Sequence, residues 1–564
     1  MSSTTETSRR QDIKAGNSAA DLRRRRSSMA VSLRKAKKEQ GQAKRRNTAR
    51  PASTLATTAT APGSSASNAA GQQQRPVTTA DVPELAKALG GAPEGRVEAA
   101  RGLRKVLSLE SDPPVTEVIA AGAMPLLVLC LDEHGSTDLQ FEAAWALTNI
   151  ASTCQTKTVV DHGAVPALVR NLRHHNPDLR EQCAWCLGNI AGDCAELRNV
   201  VLGTPDALEG LLLNIVQPAT PSLQRNCVWA LSNMCRGKPQ PATGLLLPAL
   251  PVLLNLLAST DEEVLVDTCW ALSYLSDGDT DRIQSVVEAG VAGPLVQLLQ
   301  HSDSNVVTPA LRTLGNFVTG DDLQTQAVLD CGALPQLKVL LSHPKKNIRK
   351  ETCWTLSNIV AGTGPQMAAV CDSPGILGGV IELLSSDVWE VQKEANFVMS
   401  NIATASNAAR IRQLVHLGTI PALCQMLDRA DAKVILVSLD AMTAILACDD
   451  EQDGLPCVQM VDESGGLDRL EQLQEHENTA VYEKAVQIIE RFYGCDDDEE
   501  DDADLAPNVA DGAASFSFGL TNANAPTTTP GKSCGVEMSN SPAAGGGMGG
   551  MPAFGSPVRA LNFA

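Results

Sequence analysis

A five-residue motif recurs along the middle of this chain at a nearly constant interval. Its clearest copies read Trp-Ala-Leu-Thr-Asn at 145–149, Trp-Cys-Leu-Gly-Asn at 185–189 and Trp-Ala-Leu-Ser-Asn at 229–233. Weaker copies lie at 270–274, 312–316, 354–358 and 397–401, so successive copies are 40–44 residues apart. A second mark, Gly-x-x-Pro before an apolar stretch, keeps the same interval at Gly122, Gly163, Gly332 and Gly418. A regular interval of this length indicates a stack of similar units, because no such unit can bury its hydrophobic face alone.

An interval of about 42 residues with two or three helical stretches per unit is typical of an armadillo-type solenoid. We therefore predict an all-α fold, a right-handed α-solenoid of about ten armadillo repeats between residues 81 and 494. The first and last units lack the Trp and Asn of the motif, as expected of units that cap a stack. Aromatic residues make up only 3% of the chain and hydrophobic residues 43%, which favours packing of small helical side chains over a β-sandwich.

The formal net charge of −19 is the sum of three unequal segments. Residues 1–50 carry a net charge of +11, residues 51–495 carry −22, and residues 496–564 carry −8. Free-standing runs of one charge are typical of interaction segments. We predict a basic segment over 1–50, a flexible linker over 51–80, the repeat solenoid over 81–494, and an acidic, low-complexity tail over 495–564.

In the third unit, the helix around residues 182–193 places its tryptophan on a polar stripe. This polar stripe follows helical spacing and consists of Gln182, Trp185, Asn189 and Asp193. The apolar stripe through Leu187 lies on a different face of the helix. Five of the six tryptophans in the chain occupy this position in their units. One interpretation is structural, with each indole filling a gap between units and each Asn bonded to a neighbouring backbone. The other is a binding ladder, because stacking lines up equivalent positions along one surface.

The ladder interpretation predicts the chemistry of the ligand. Indole faces form slots for aliphatic stems and attract a cation by about 0.5–2 kcal/mol. Asn amides offer both a donor and an acceptor to an extended backbone. On a body of net charge −22, these slots favour a peptide rich in lysine and arginine, and they disfavour nucleic acid because its phosphates would be repelled.

With these motifs, the array resembles importin-α (karyopherin-α), a family of adaptors that recognise nuclear localisation signals. The resemblance implies a main signal-binding site, with Asp193 receiving the key lysine, at Ser108, Trp145, Asn149, Thr156, Gln182, Trp185, Asn189, Asp193, Asn226, Trp229 and Asn233. It implies a secondary site at Trp270, Tyr274, Asp277, Arg312, Asn316, Asp322, Glu351, Trp354, Asn358, Glu394, Phe397 and Asn401. Phe397 stands where the family has tryptophan, so a smaller slot with a weaker cation–π attraction is expected there.

The basic segment contains three clusters whose order resembles the importin-β-binding domain of the same family. Their residues are Arg23, Arg24, Arg25 and Arg26, then Arg34, Lys35, Lys37 and Lys38, and finally Lys44, Arg45 and Arg46. On charge alone, such runs also fit a nucleic-acid arm, a nuclear signal or a membrane-surface segment. The resemblance favours binding to importin-β, with the last cluster mimicking cargo and occupying the signal site until importin-β removes it.

The resemblance also implies an export receptor that contacts the last unit and the tail, and shuttling between cytoplasm and nucleus through the nuclear pore. Phe516-Ser-Phe-Gly519 is similar to a nucleoporin repeat.

Because no secretory signal or membrane span is present, the 16 cysteines are expected to be free thiols. No nucleophile–base pair, phosphate loop or metal cluster is found, so we predict neither an enzyme nor any cofactor. Two other armadillo classes are less favoured. The acidic body and the Trp/Asn ladder argue against a signalling scaffold that binds acidic peptides, and neither flank is long or apolar enough for the U-box-like domain that a ubiquitin ligase is expected to carry.

Overall fold

The computed structural model describes residues 77–109, 113–448 and 456–494, and within them all regular secondary structure is helical. Ten long helices alternate with pairs of shorter ones, which gives ten repeats in the described residues. The prediction of an all-α solenoid of about ten repeats is confirmed. The clusters between Arg23 and Arg46, the predicted linker up to residue 76 and the predicted tail lie outside the described residues.

Each complete repeat has a first, a second and a long third helix, and the first repeat has only the last two. The first five repeats hold α1 (Val82–Leu89) and α2 (Pro93–Leu107); α3 (Val115–Ala120), α4 (Ala123–Cys130) and α5 (Thr137–Ala151); α6 (Thr156–Asp161), α7 (Ala164–Asn171) and α8 (Pro177–Asp193); α9 (Ala195–Gly203), α10 (Ala207–Val216) and α11 (Pro221–Cys235); α12 (Thr243–Leu246), α13 (Leu250–Leu256) and α14 (Glu262–Leu275). The other five hold α15 (Thr280–Glu288), α16 (Ala292–Leu298) and α17 (Ser304–Phe317); α18 (Asp322–Asp330), α19 (Ala333–Leu341) and α20 (Lys346–Ile359); α21 (Gly364–Asp372), α22 (Ile376–Ser386) and α23 (Trp389–Ala405); α24 (Ala408–His416), α25 (Thr419–Met426) and α26 (Ala432–Leu446); α27 (Cys457–Glu463), α28 (Gly466–Leu473) and α29 (Thr479–Phe492).

Local sequence signals set the helix boundaries. Most of the described long helices begin after a side chain that accepts a backbone N–H, as Asn176 does before α8 and Thr220 before α11. The turn between first and second helices needs a left-handed residue, and the predicted glycines supply it, with φ of 78° at Gly163. In repeat 4 the same turn uses Asp206, with φ of 66°, since a short polar side chain tolerates this conformation.

The third helices pack in sequence order from α2 to α29 and form one continuous layer. The residue two positions before each motif Asn is fully buried; it is a leucine at 147, 187 and 231, and Met399 before Asn401. Among the described residues, no single helix is long and apolar enough to cross a membrane. The pair α21 and α22 passes that test only when the two are taken together, and they are bent by 81° relative to each other.

Candidate functional site

The third helices place equivalent residues in three parallel columns. We call the Trp position of the motif the aromatic column, the Asn position the amide column, and the position three residues before the Trp the upstream column. The aromatic column reads Arg104, Trp145, Trp185, Trp229, Trp270, Arg312, Trp354 and Phe397. The amide column reads Ser108, Asn149, Asn189, Asn233, Tyr274, Asn316, Asn358 and Asn401. The upstream column from repeat 2 reads Glu142, Gln182, Asn226, Asp267, Pro309, Glu351 and Glu394.

The amide column joins consecutive repeats by hydrogen bonds. The Nδ2 of Asn189 donates to the carbonyl oxygen of Thr148 at 3.1 Å, and that of Asn233 donates to the carbonyl oxygen of Gly188 at 3.0 Å. In repeat 2 the acceptor is instead the hydroxyl of Ser108, 3.0 Å from Asn149 Nδ2. These amides are buried, so each bond replaces a lost contact with water. This is the contact expected from the structural interpretation, and it fixes the orientation of each amide.

The same bond recurs in the region of the predicted secondary site. Asn316 Nδ2 donates to the carbonyl oxygen of Ser273 at 2.9 Å, and Asn401 Nδ2 donates to that of Ser357 at 2.9 Å. Asn358 differs, because its Nδ2 is buried without a hydrogen-bond partner. Tyr274 replaces the amide in repeat 5, and its ring stacks on Trp270 with centroids 5.7 Å apart.

Two glycines of the motif make room for the indole of the next repeat. A Cβ atom at Gly188 would lie 2.4 Å from Cζ3 of Trp229, and one at Gly315 would lie 2.3 Å from Cζ3 of Trp354. Real Cβ atoms do not approach so closely, so only glycine allows these contacts. Trp229 and Trp354 are buried, as is Trp145, whereas Trp185 and Trp270 are half-buried.

Carboxylates lie where a third helix meets the first helix of the next repeat. Asp193 is the last residue of α8, Asp277 lies between α14 and α15, and Asp322 is the first residue of α18. Beside Asp193, the carbonyl oxygen of Gly192 accepts a hydrogen bond from Arg236 at 3.0 Å. Thr156, which the resemblance assigns to the pocket for the key lysine, starts α6 and donates its hydroxyl to the carbonyl oxygen of Ala151 at 2.9 Å.

Two arginines of the aromatic column make contacts that the sequence patterns did not predict. Arg104 lies over the ring of Trp145, with Cζ 4.4 Å from the centroid, and pairs with Glu142 at 2.9 Å. Arg312 lies over Trp354 at 5.7 Å and pairs with Glu351 at 2.7 Å. The sequence analysis assigned Arg312 and Glu351 to the secondary site but omitted Arg104, Glu142 and Asp267. Aligning the aromatic column at the repeat interval would have found Arg104, and aligning the upstream column would have found Glu142 and Asp267.

Comparisons with known proteins define the class first. The Armadillo/beta-catenin-like repeat family matches residues 111–152, 155–192, 279–319 and 321–361. A HEAT-like repeat matches 221–275 and an Atypical Arm repeat matches 456–508. The crystal structure of an engineered protein matches with a TM-score of 0.67 and 30% identity, covering 73% of this chain and 99% of that one. The chain is an armadillo-repeat protein.

The Importin beta binding domain family matches residues 9–90, which include most of the predicted basic segment and the whole predicted linker. Importin subunit alpha-3 of Arabidopsis thaliana is 43% identical over 91% of this chain and 96% of its own length. Importin subunit alpha-1a of Oryza sativa subsp. japonica is also 43% identical, again over 91% of this chain and 96% of its own length. The chain therefore belongs to the importin-α family, as the motifs predicted. Members of this family are not enzymes, so the prediction of a non-enzyme is confirmed.

Proposed function

We propose that this chain is a nuclear import adaptor that binds lysine- and arginine-rich localisation signals along the aromatic and amide columns. The observation that carries the proposal is the register of the columns, in which Trp145, Trp185, Trp229 and Trp270 occupy equivalent positions on four consecutive third helices. Packed helices lie about 8–10 Å apart, a distance that two to three residues of extended chain span. A basic peptide can therefore present successive side chains to successive slots.

The charges of the surface support the same ligand. Asp193 is exposed at the end of α8. A lysine that meets this carboxylate at the end of a row of indoles gains an ion pair in addition to its ring contacts. We assign the key lysine of the signal to Asp193 and the second basic cluster of a bipartite signal to the columns around Trp354 and Asn401.

The match of residues 9–90 to the Importin beta binding domain supports a second partner, importin-β. The last basic cluster, Lys44 to Arg46, has the composition of a cargo signal. A linker of about 30 residues spans about 30 Å as a random coil and holds this cluster near the columns at an effective concentration of order millimolar. A mimic with a dissociation constant of about 10 μM would then weaken cargo binding about 100-fold. Importin-β relieves this competition by taking up the basic segment.

The proposal extends to the cycle in which such an adaptor works. The protein enters the nucleus with cargo and importin-β and returns to the cytoplasm with an export receptor that contacts the last repeat and the acidic tail. In this cycle the Phe-Gly pair within 516–519 contacts nucleoporins. We propose no nucleic-acid ligand and no membrane insertion for the solenoid.

The test is peptide binding by fluorescence anisotropy, with and without residues 1–50. A lysine-rich signal peptide should bind the truncated protein about 100-fold more tightly, and importin-β should restore the full-length protein to the same affinity. Trp185→Ala combined with Asp193→Lys should abolish binding. The matched pair Trp354→Ala and Asp322→Lys, in the secondary region, should leave a single-cluster signal bound.

Each part of the proposal has its own failure. Equal affinity of full-length and truncated protein would refute autoinhibition while leaving the site intact. Undiminished binding to the Trp185 and Asp193 double variant would refute the site assignment. Preference for a glutamate-rich peptide of equal length would instead support a scaffold for acidic ligands.

A further inference from the structure

The first ring of the aromatic column is already covered by a cation of this chain. Arg104 comes from α2, at the position that tryptophan occupies in repeats 2 to 5. Its guanidinium carbon lies 4.4 Å from the centroid of Trp145. This distance is within the range of a cation–π contact, so Arg104 fills the face of Trp145 that points towards repeat 1.

A buried carboxylate holds Arg104 in this position. Glu142 is only 5% exposed and accepts from Arg104 Nε at 2.9 Å and from Arg101 Nε at 2.8 Å. Moving Arg104 away would leave this buried carboxylate with Arg101 as its one remaining arginine, and the lost ion pair disfavours displacement of Arg104 by an incoming ligand. The guanidinium is therefore a fixed part of the surface and does not move aside for a cargo side chain.

The same arrangement recurs once more, five repeats along the chain. Arg312 of repeat 6 lies over Trp354 of repeat 7, and Glu351 of the upstream column holds it at 2.7 Å. Asp267 and Glu394 occupy the same upstream position in repeats 5 and 8, but there the preceding repeat carries a tryptophan. An arginine in the aromatic column thus coincides with an upstream glutamate in the next repeat.

We infer that Arg104 is a built-in stop that ends the row of cation-binding slots at Trp145 and thereby limits how many basic residues of a peptide the main site accepts. Arg312 has the same effect ahead of Trp354. The inference rests on the proposed function, because it concerns the specificity of the same columns. Four rings, Trp145 to Trp270, lie between the two arginines, whereas only Trp354 and Phe397 follow the second.

The inference is tested by giving repeat 1 the ring that it lacks. Binding of three lysine-rich peptides to the full-length protein is compared. One peptide matches the main site. The other two are each extended by three residues that end in an additional lysine, one at the N-terminus and one at the C-terminus. The quantity measured is the ratio of the dissociation constant of the matched peptide to that of each extended peptide, which cancels any competition from residues 1–50. Arg104→Trp should raise the advantage of one extended peptide about threefold to tenfold over that in the unmodified protein, by creating one more slot.

Three further variants make the result specific. Arg104→Leu opens the face of Trp145 without adding bulk and should raise the same ratio about twofold to threefold. Arg104→Lys keeps the cation and should leave the ratio unchanged. Arg173→Trp adds a tryptophan at an exposed position paired with Glu209 and should also leave it unchanged.

The outcomes separate this inference from the proposed function. An unchanged ratio in Arg104→Leu, with the matched peptide still bound, overturns the stop even if Arg104→Trp fails to fold. An equal rise in Arg173→Trp also overturns it, because the gain would then come from any added indole. Failure of the unmodified protein to bind either peptide would refute the proposed function itself.

Discussion

Replacing Gly188 by alanine should move the indole of Trp229 and weaken both the stack and the binding surface. The added Cβ would lie 2.4 Å from Cζ3 and 2.8 Å from Cε3 of that ring, and 3.1 Å from the Cβ of Ala230. The ring atoms are part of a rigid bicycle, so the whole indole must rotate or the two helices must separate. Overpacking of this kind costs about 1–3 kcal/mol.

The sign of the stability change in Gly188→Ala is informative, because alanine should stabilise the helix if no clash opposed it. Alanine in a helix interior is preferred over glycine by about 0.8–1.0 kcal/mol. Gly378, inside α22, provides the matched control, since a Cβ there would meet no atom within 4 Å. We expect Gly378→Ala to be neutral or stabilising, and Gly188→Ala to be destabilising by up to about 2 kcal/mol once propensity offsets part of the clash.

The measurements are denaturant midpoints followed by circular dichroism and anisotropy with a lysine-rich peptide. Gly188→Ala should lower the midpoint and weaken peptide binding, whereas Gly378→Ala should leave binding unchanged. Trp229→Ala should remove most of the stability penalty of Gly188→Ala, because the clashing ring is gone. A Gly188→Ala protein as stable as Gly378→Ala, with unchanged peptide affinity, would refute the close packing of Trp229 on Gly188.

Two other expectations concern charge and thiol chemistry. Arg349 Nη2 donates to Asp387 Oδ1 at 2.8 Å, and this hydrogen bonding lowers the pKa of the Asp387 carboxyl. The pair therefore stabilises the fold fully above about pH 4, and this stabilisation is lost as the pH falls through the lowered pKa. Asp387→Asn should therefore lower the urea midpoint at pH 7 but make progressively less difference below pH 4; a constant difference down to pH 3 would contradict this account. Burial raises the pKa of the Cys186 thiol to about 12, so iodoacetamide at pH 8 followed by peptide mass spectrometry should find it unmodified in the native protein and modified after unfolding. Among the residues that the structure describes, the exposed thiols that should react first are Cys154, Cys194 and Cys331.

The repeat interval was sufficient to predict the fold and the helix that carries each motif. Every Trp and Asn of the predicted sites within the described residues lies on a third helix, because one short pattern repeats with its apolar and polar positions in constant phase. Less could be predicted for repeat 5, where Pro248 and Pro251 break an apolar run into α12, a 3-10 turn and α13. The left-handed turn at Asp206 was also missed, since only glycines were used to mark this turn.

What the repeat interval did not predict is the pairing of side chains between repeats. Glu142 and Arg104 are 38 residues apart in sequence, and their ion pair exists only because α2 packs on α5. The need for glycine at 188 likewise depends on the approach of a ring from the next repeat. Such contacts depend on the distance between neighbouring helices, which a single-sequence pattern does not contain.

Stacking and the proposed ligand recognition use the same side chains in this protein, so one substitution can affect both. The Nδ2 of Asn189 joins α8 to α5, so removing the amide would loosen the stack as well as alter the surface. Loss of peptide binding in such a variant would not by itself identify a ligand contact. Substitutions that change a ring face while leaving the amide hydrogen bonds in place separate the effect on stacking from the effect on binding. Arg104 is a suitable position for such a substitution, because Arg101 still pairs with Glu142 when Arg104 is replaced. The aromatic column can thus be altered at its first position with less disturbance to the stacking bonds than at any Asn.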